Sequence, residues 1–350
     1  MLPRDIILAL DAMGGDHGPE TVLEGAEKAR SRVPGTRFLL FGDESRITAA
    51  LAKWPKLAEQ SEIRHTDKEI LGTDKPSQAL RRGRDSSMGL AIAAVKDGDA
   101  DVAVSAGNTG ALMAMAKFIL RTKPGIDRPA LVSLLPTARG ESVMLDLGAN
   151  TESSAENLVQ FAVMGAAFAK TVLGLDHPKV GLLNIGVEEL KGTEEIKEAG
   201  QLLKQANLPM DFAGFTEGDR ITQGEVDVVV TDGFTGNVAL KTAEGTAKLI
   251  AELMRRAFKS SIWSKIGYLF ARHGLRSLQD HLDPNNHNGA VFLGLNGLVV
   301  KSHGGANAVG VATAIGMAID LAADDILTHI AEGLKEFEGQ VDLVEAVGAQ

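Results

Sequence analysis

The chain has 350 residues, with 36 Lys and Arg against 46 Asp and Glu for a formal charge of −10, 44% hydrophobic and 4% aromatic side chains, and no cysteine. This is the composition of a folded globular protein with an ample core. It excludes disulfides, thiolate nucleophiles and cysteine-held metals, and the acidic balance argues against nucleic acid as a partner. No apolar run reaches the roughly 18 residues of a bilayer span, and the N-terminus reads as a strand rather than a signal peptide, so a cytoplasmic protein is expected.

Residues 6–20 read IILALDAMGGDHGPE. The apolar run Ile6 to Leu10 predicts a buried strand that ends in Asp11 and a turn carrying Gly14, Gly15, Asp16 and His17. Pro19 suits the first turn of a helix bearing Val22, Leu23, Ala26 and Ala29. Residues 37–41 predict a strand, and 62–65, alternating with period two, an edge strand. A helix is expected over 79–95. A strand over 101–104 opens into SAGNTG, with Ser105, Asn108 and Thr109, and a helix over 111–120. Strands are expected over 129–135 and 142–147, the second closing in DLGAN with Asn150. A helix over 153–172 takes Ser153 or Ser154 as N-cap. The buried strand 179–183 closes in NIGVEELKG, with Asn184, Glu188 and Lys191, and the strand 226–230 in TDGFTGN, with Asp232, Thr235 and Asn237. A late pair, 291–295 and 298–300, flanks the hairpin dipeptide Asn296-Gly297 and leads through Lys301, Ser302 and His303 to a helix over 308–322.

Strand-like and helix-like runs alternate from end to end, which predicts a layered α/β fold with a mostly parallel sheet. One domain is expected over 1–335, with an amphipathic helical hairpin inserted at 246–276 and a loosely held acidic tail over 336–350. Six strands end in small residues plus Asp, Asn, Lys or His, at Asp11, Asn108, Asn150, Asn184, Asp232 and the Lys301–His303 pair. In a parallel sheet these carboxyl ends share one edge, so the turns are expected to converge on one crevice.

Gly107, Gly110, Gly236, Gly304 and Gly305 lie at or before helix starts, where free N–H groups and the helix dipole favour an anion. Hydroxyls at Ser105, Thr109, Thr235 and Ser302 and the charges of Lys191 and Lys301 complete the outline of a phosphate or carboxylate site. There is no GxxxxGK[ST] loop, no full dinucleotide fingerprint and no GxSxG elbow. A metal on Asp11, Asp16, His17, Asp232 and His303 is the rival reading, but no HxxxH or HExxH spacing supports it, so neither metal nor cofactor is expected.

Together the blocks DAMGGDHGPE, SAGNTGALMA, DLGAN, NIGVEELKG, TDGFTGNVALKTAEG and LGLNGLVVKSHGGA resemble, in order, those of the bacterial phosphate acyltransferase (PlsX) family, over about residues 6–319. The resemblance implies a Rossmann-like α/β/α sandwich that moves a fatty acyl group from acyl-acyl carrier protein to inorganic phosphate for phospholipid synthesis. It further implies a cytoplasmic homodimer, peripherally associated with the inner face of the membrane, whose product a downstream glycerol-phosphate acyltransferase would consume. Phosphate is already an anionic nucleophile, so it needs binding and orientation rather than a protein nucleophile. The catalytic candidates are Lys301, His303, Asp232, Asn237 and Lys191. The substrate-binding candidates are Asp11, Gly14, Gly15, Asp16, His17, Ser105, Asn108, Thr109, Asn150, Asn184, Glu188, Thr235 and Ser302. The chain departs from the family where Tyr-Gly is common before Gly289-Ala290, because it has His287-Asn288.

In the hairpin, Leu249, Ile250, Leu253 and Met254 recur at helical spacing, and after Ser260-Ser261 a second stripe runs through Ile262, Trp263, Ile266, Leu269 and Phe270. Two helices broken at the serines are expected, with these residues and Arg255, Arg256 and Lys259 meeting a membrane surface, the carrier protein or a second copy. The alternatives are a phosphotransacetylase-like enzyme or a nicotinamide-dependent decarboxylating dehydrogenase on a similar fold, and a non-enzymatic membrane adaptor.

Overall fold

The structure is a computed structural model that describes residues 5–348. The chain opens with β1 (Ile7–Asp11), α1 (Gly18–Arg32), β2 (Arg37–Gly42), α2 (Glu44–Leu51), α3 (Pro55–Glu59) and β3 (Ser61–His65). There follow α4 (Pro76–Arg82), α5 (Ser87–Asp97), β4 (Val102–Ser105), α6 (Thr109–Leu120), β5 (Ala130–Thr137), β6 (Gly140–Leu145) and α7 (Ala155–Leu173). The second half runs β7 (Lys179–Leu183), α8 (Glu194–Gln205), β8 (Asp211–Thr216), β9 (Val228–Val230), α9 (Gly233–Lys259) and α10 (Ile262–Leu282). It ends in β10 (Ala290–Leu293), β11 (Leu298–Lys301), α11 (Ala308–Ala323) and α12 (Ile326–Gly348).

The strands form one 11-stranded sheet in the order β3-β2-β1-β4-β11-β10-β5-β6-β9-β7-β8. Its two faces are packed by alternate residues, as strand geometry requires. Leu8 and Leu10 join the core under α1, α7, α11 and α12, whereas Ala9 joins the core under α5 and α6. This is a Rossmann-like α/β/α sandwich, and the α9–α10 pair protrudes from it with long exposed apolar stripes.

Local chemistry sets most boundaries. Ser154 caps α7 through a reciprocal capping box with Asn157. The helix expected over 79–95 is two helices: Gly83 ends α4, and the Ser86 hydroxyl caps α5 by accepting from Gly89 N–H at 3.2 Å. The edge position of β3 and the break at Ser260-Ser261 are as anticipated. The acidic segment from 336 continues α12 to Gly348, and residues 349–350 lie outside the described residues.

Strand direction corrects the expectation of one shared edge. β10 pairs antiparallel with both β11 and β5, and β6 pairs antiparallel with β5. β9, β7 and β8 then follow β6 in parallel. The sheet therefore joins two parallel blocks of opposite direction, and the carboxyl ends of β1, β4 and β11 lie on the edge opposite those of β6, β7 and β9.

Candidate active site

At the first edge, the buried carboxylate of Asp11 closes β1. It accepts from the Ser105 hydroxyl at the end of β4 at 2.6 Å, and Ser105 Oγ in turn accepts from Gly107 N–H at 3.0 Å. Only glycine fits at 14, because a Cβ there would lie 2.7 Å from Asp11 Oδ2 and 2.8 Å from Gly107 N. The Gly14–Gly18 turn is knitted to the turn after β11, where Asp16 N–H donates to Gly304 O at 2.9 Å. His17 occupies the N-cap position of α1 without a side-chain cap bond.

Lys301 ends β11 with its side chain buried, and its ammonium donates to the carbonyls of Ala106 at 3.3 Å and Ser302. Loss of solvent lowers its pKa to about 8, with Asp11 and Asp16 pulling it back up. Burial likewise raises Asp11, against the Ser105 hydrogen bond. His303 is partly exposed, and its Nδ1 accepts from Gly305 N–H at 3.1 Å. The neutral ring therefore carries its proton on Nε2. Partial burial and then the Lys301 charge push His303 below the usual imidazole range. Charges of Lys241, Glu244 and Lys248 also act on His303, so the middle of α9 faces this edge.

Asn288 is the residue that the sequence reading missed. It is buried, its Oδ1 accepts from His303 N–H at 2.9 Å, and its Nδ2 donates to Ser302 Oγ and Gly310 O, both at 2.8 Å. The Ser302 hydroxyl thus accepts from Asn288. Neighbouring His287 bonds Glu141 Oε1 through Nδ1 at 2.5 Å and His281 O through Nε2 at 2.8 Å, anchoring the strap before β10 to the start of β6. The only sequence signal was the departure at 287–288.

Asn108 is the N-cap of α6. Its Oδ1 accepts from Ala111 N–H at 3.0 Å and its Nδ2 donates to Gly72 O and Asp74 O at 2.8 and 3.0 Å. Its side chain is occupied, which leaves the Thr109 and Gly110 N–H groups at the helix start for a ligand.

The opposite edge gathers the other candidates, and there the polar groups satisfy one another. Asp146, fully buried, accepts five hydrogen bonds, from the N–H groups of Leu131, Gly148, Ala149 and Asn150 and from Asn150 Nδ2. Asn150 Nδ2 also donates to Pro129 O at 2.8 Å, and Asn237 Nδ2 donates to Leu147 O at 3.0 Å. Asp232 caps α9 through Thr235 N–H at 2.9 Å and the Thr235 hydroxyl at 2.6 Å. The fit is tight, because a Cβ on Gly236 would lie 1.9 Å from Asp146 O. Asn184 closes its loop by donating to Lys191 O at 3.0 Å, and Lys191 pairs with Glu188 at 3.0 Å, both exposed.

On the protruding pair, Trp263 is 78% and Phe270 84% exposed, with Ile262, Ile266 and Leu269 also exposed. Arg255 and Arg256 both pair with Glu252 on their own helix, and Lys259 is exposed. Among the described residues no helix is long and apolar enough to cross a membrane, and no three His, Asp or Glu side chains gather as a metal set.

The profile of a family described as "Fatty acid synthesis protein" matches residues 6–329. A "Phosphate acyltransferase" of Parvibaculum lavamentivorans is 59% identical over 97% of this chain and 94% of its own length. One of Rhodopseudomonas palustris is 56% identical over 100% and 99%. Among solved structures, a phosphotransacetylase from Streptococcus pyogenes superposes with a TM-score of 0.59 at 19% identity, over 91% of this chain and 94% of that one. The EutD phosphotransacetylase from Staphylococcus aureus gives 0.58 at 18%, with the same coverage. These structural likenesses concern the fold.

Proposed function

Because this chain belongs to the fatty acid synthesis protein family, we propose that it is a phosphate acyltransferase taking a fatty acyl group from the thioester of acyl carrier protein to inorganic phosphate, for phospholipid synthesis. The observation that carries the reading is that buried Lys301 and His303, whose Nε2–H is turned away from its own loop contact, stand at one sheet edge beside the open N-terminus of α6. This is a cationic, donor-rich edge with no cysteine in reach.

Phosphate binds against the Lys301 charge and the Thr109 and Gly110 N–H groups, with Asp11 and Asp16 balancing the lysine. A phosphate oxygen attacks the thioester carbonyl carbon and a C–O bond forms. The carbonyl oxygen becomes an oxyanion, for which the His303 Nε2–H is the donor. Collapse breaks the C–S bond and expels the carrier thiolate, which takes a proton from solvent and leaves acyl phosphate. With an ordinary thiol pKa of about 8.5, that group leaves with modest assistance.

The exposed stripes of α9 and α10 support two further parts of the reading, pairing with a second copy and peripheral contact with the inner face of the membrane. Leu269→Glu should then weaken vesicle binding and spare turnover in solution. The chemical test is direct: purified protein, acyl-carrier protein and phosphate should yield acyl phosphate and free carrier thiol in equal amounts. Turnover of acetyl-coenzyme A alone would favour the smaller-substrate chemistry named for the structural neighbours.

A further inference from the structure

We infer that the acidic carrier protein docks on a basic face made by α4, the turn after it and the last turns of α6. The inference rests on the proposed donor. With a net charge of −10, the protein as a whole repels an acidic partner, so docking needs a local patch of opposite sign.

Segment 66–85 supplies one because its unpaired cations, with Lys117, outnumber its unpaired acids. Asp85 pairs with Lys68 and Glu69 lies 3.8 Å from Arg46, while Asp74, whose Oδ2 accepts from Leu71 N–H at 2.8 Å, and Asp67 keep their charge. Against them stand Lys75, Arg81, Arg82, Arg84 and Lys117, all exposed and in no ion pair among the described residues. The Arg84 guanidinium lies over the Phe118 ring at 4.7 Å, and Phe118 and Leu71 are each 53% exposed. Cations around an exposed aromatic and a leucine suit a helix that bears carboxylates beside apolar residues.

The patch also flanks the reacting groups. Asn108 ties residues 72 and 74 to the start of α6, and Pro76 packs against Gly110. Phe118 stands about 15 Å along α6 from Asn108 at 1.5 Å per residue. A carrier seated there presents its tethered thioester toward the edge that holds Lys301 and His303. The rival cations on α9 are weaker, since Arg255 and Arg256 share Glu252.

The test compares acyl-carrier protein with acyl-pantetheine, which has the same thioester and no protein. Arg81→Glu/Arg82→Glu should lower kcat/KM for acyl-carrier protein by about tenfold or more and flatten its dependence on salt, with acyl-pantetheine turnover unchanged. Lys75→Glu/Lys117→Glu, which keeps both Arg84 and Phe118, should do the same. Unchanged use of the carrier, an equal fall with both substrates, or a carrier-specific loss only in Arg255→Glu/Arg256→Glu would each overturn the docking face. A wild-type enzyme that used neither thioester would instead overturn the donor assignment, and this inference with it.

Discussion

The two edges of the sheet are built from the same residue types and differ in what those residues have left to give. At the β6–β9–β7 edge, Asp146, Asn150, Asp232 and Asn237 are bound to backbone and to one another. At the β1–β4–β11 edge, Lys301 carries a charge that burial depresses, and His303 points an N–H away from its own loop contact. The difference lies in the donors left over once each edge has made its own hydrogen bonds.

The sharpest way to break this comparison is at Lys301. Lys301→Met should cost about 100- to 1000-fold in kcat/KM, with little change in melting temperature, read by initial rates and thermal unfolding. A loss below about threefold would remove the first edge from the chemistry. The ammonium is the working form, so activity should be full below a pH of about 8 and decline as pH rises through that value. Lys301→Arg should move that limb upward.

Asp146→Ala is the counterpart at the other edge. It strips the partner from five donors and should destabilise the fold by about 3 kcal/mol in urea unfolding, while turnover per folded molecule changes little.

Asn288→Ala sharpens the distinction between acting and positioning. It should lower kcat about tenfold with little change in KM for phosphate, because it releases the backbone that aims His303. Asn288→Asp, which keeps the acceptor for His303 N–H, should recover part of the loss.

The smallest effect belongs to the His287–Glu141 contact. Glu141 raises the His287 pKa, so its contribution, about 0.5 kcal/mol, is full below pH ~6.5 and lost as pH rises through the raised value. Glu141→Gln should remove that dependence from stability measured against pH.

Much of the fold was legible because local patterns carry it. Short apolar runs revealed β1 and β4 as buried strands, the serines at 153 and 154 announced the start of α7, and Ser260-Ser261 the break between α9 and α10. The sheet is mostly parallel as expected, but strand direction is not a local property, and the expectation of one shared edge failed although one clue was present. Only Ala138 and Arg139 separate β5 from β6, too few for a crossover, so the pair had to be antiparallel and the second block inverted. The hydrogen bonds that Asn108 and Asn150 make within the protein were not legible, because a cap, a loop tie and a binding residue look alike in sequence. The hydrogen bonds of Asn288 were invisible because all its partners are brought to it by tertiary structure.

Acyl transfer at the first edge is tested most directly by one paired assay of acyl phosphate formation. His303→Ala should lose about 100-fold in turnover and remain folded. Asp232→Ala should keep its turnover and lose about 1 kcal/mol of stability as a missing helix cap. A folded, inactive Asp232→Ala beside an active His303→Ala would contradict the account.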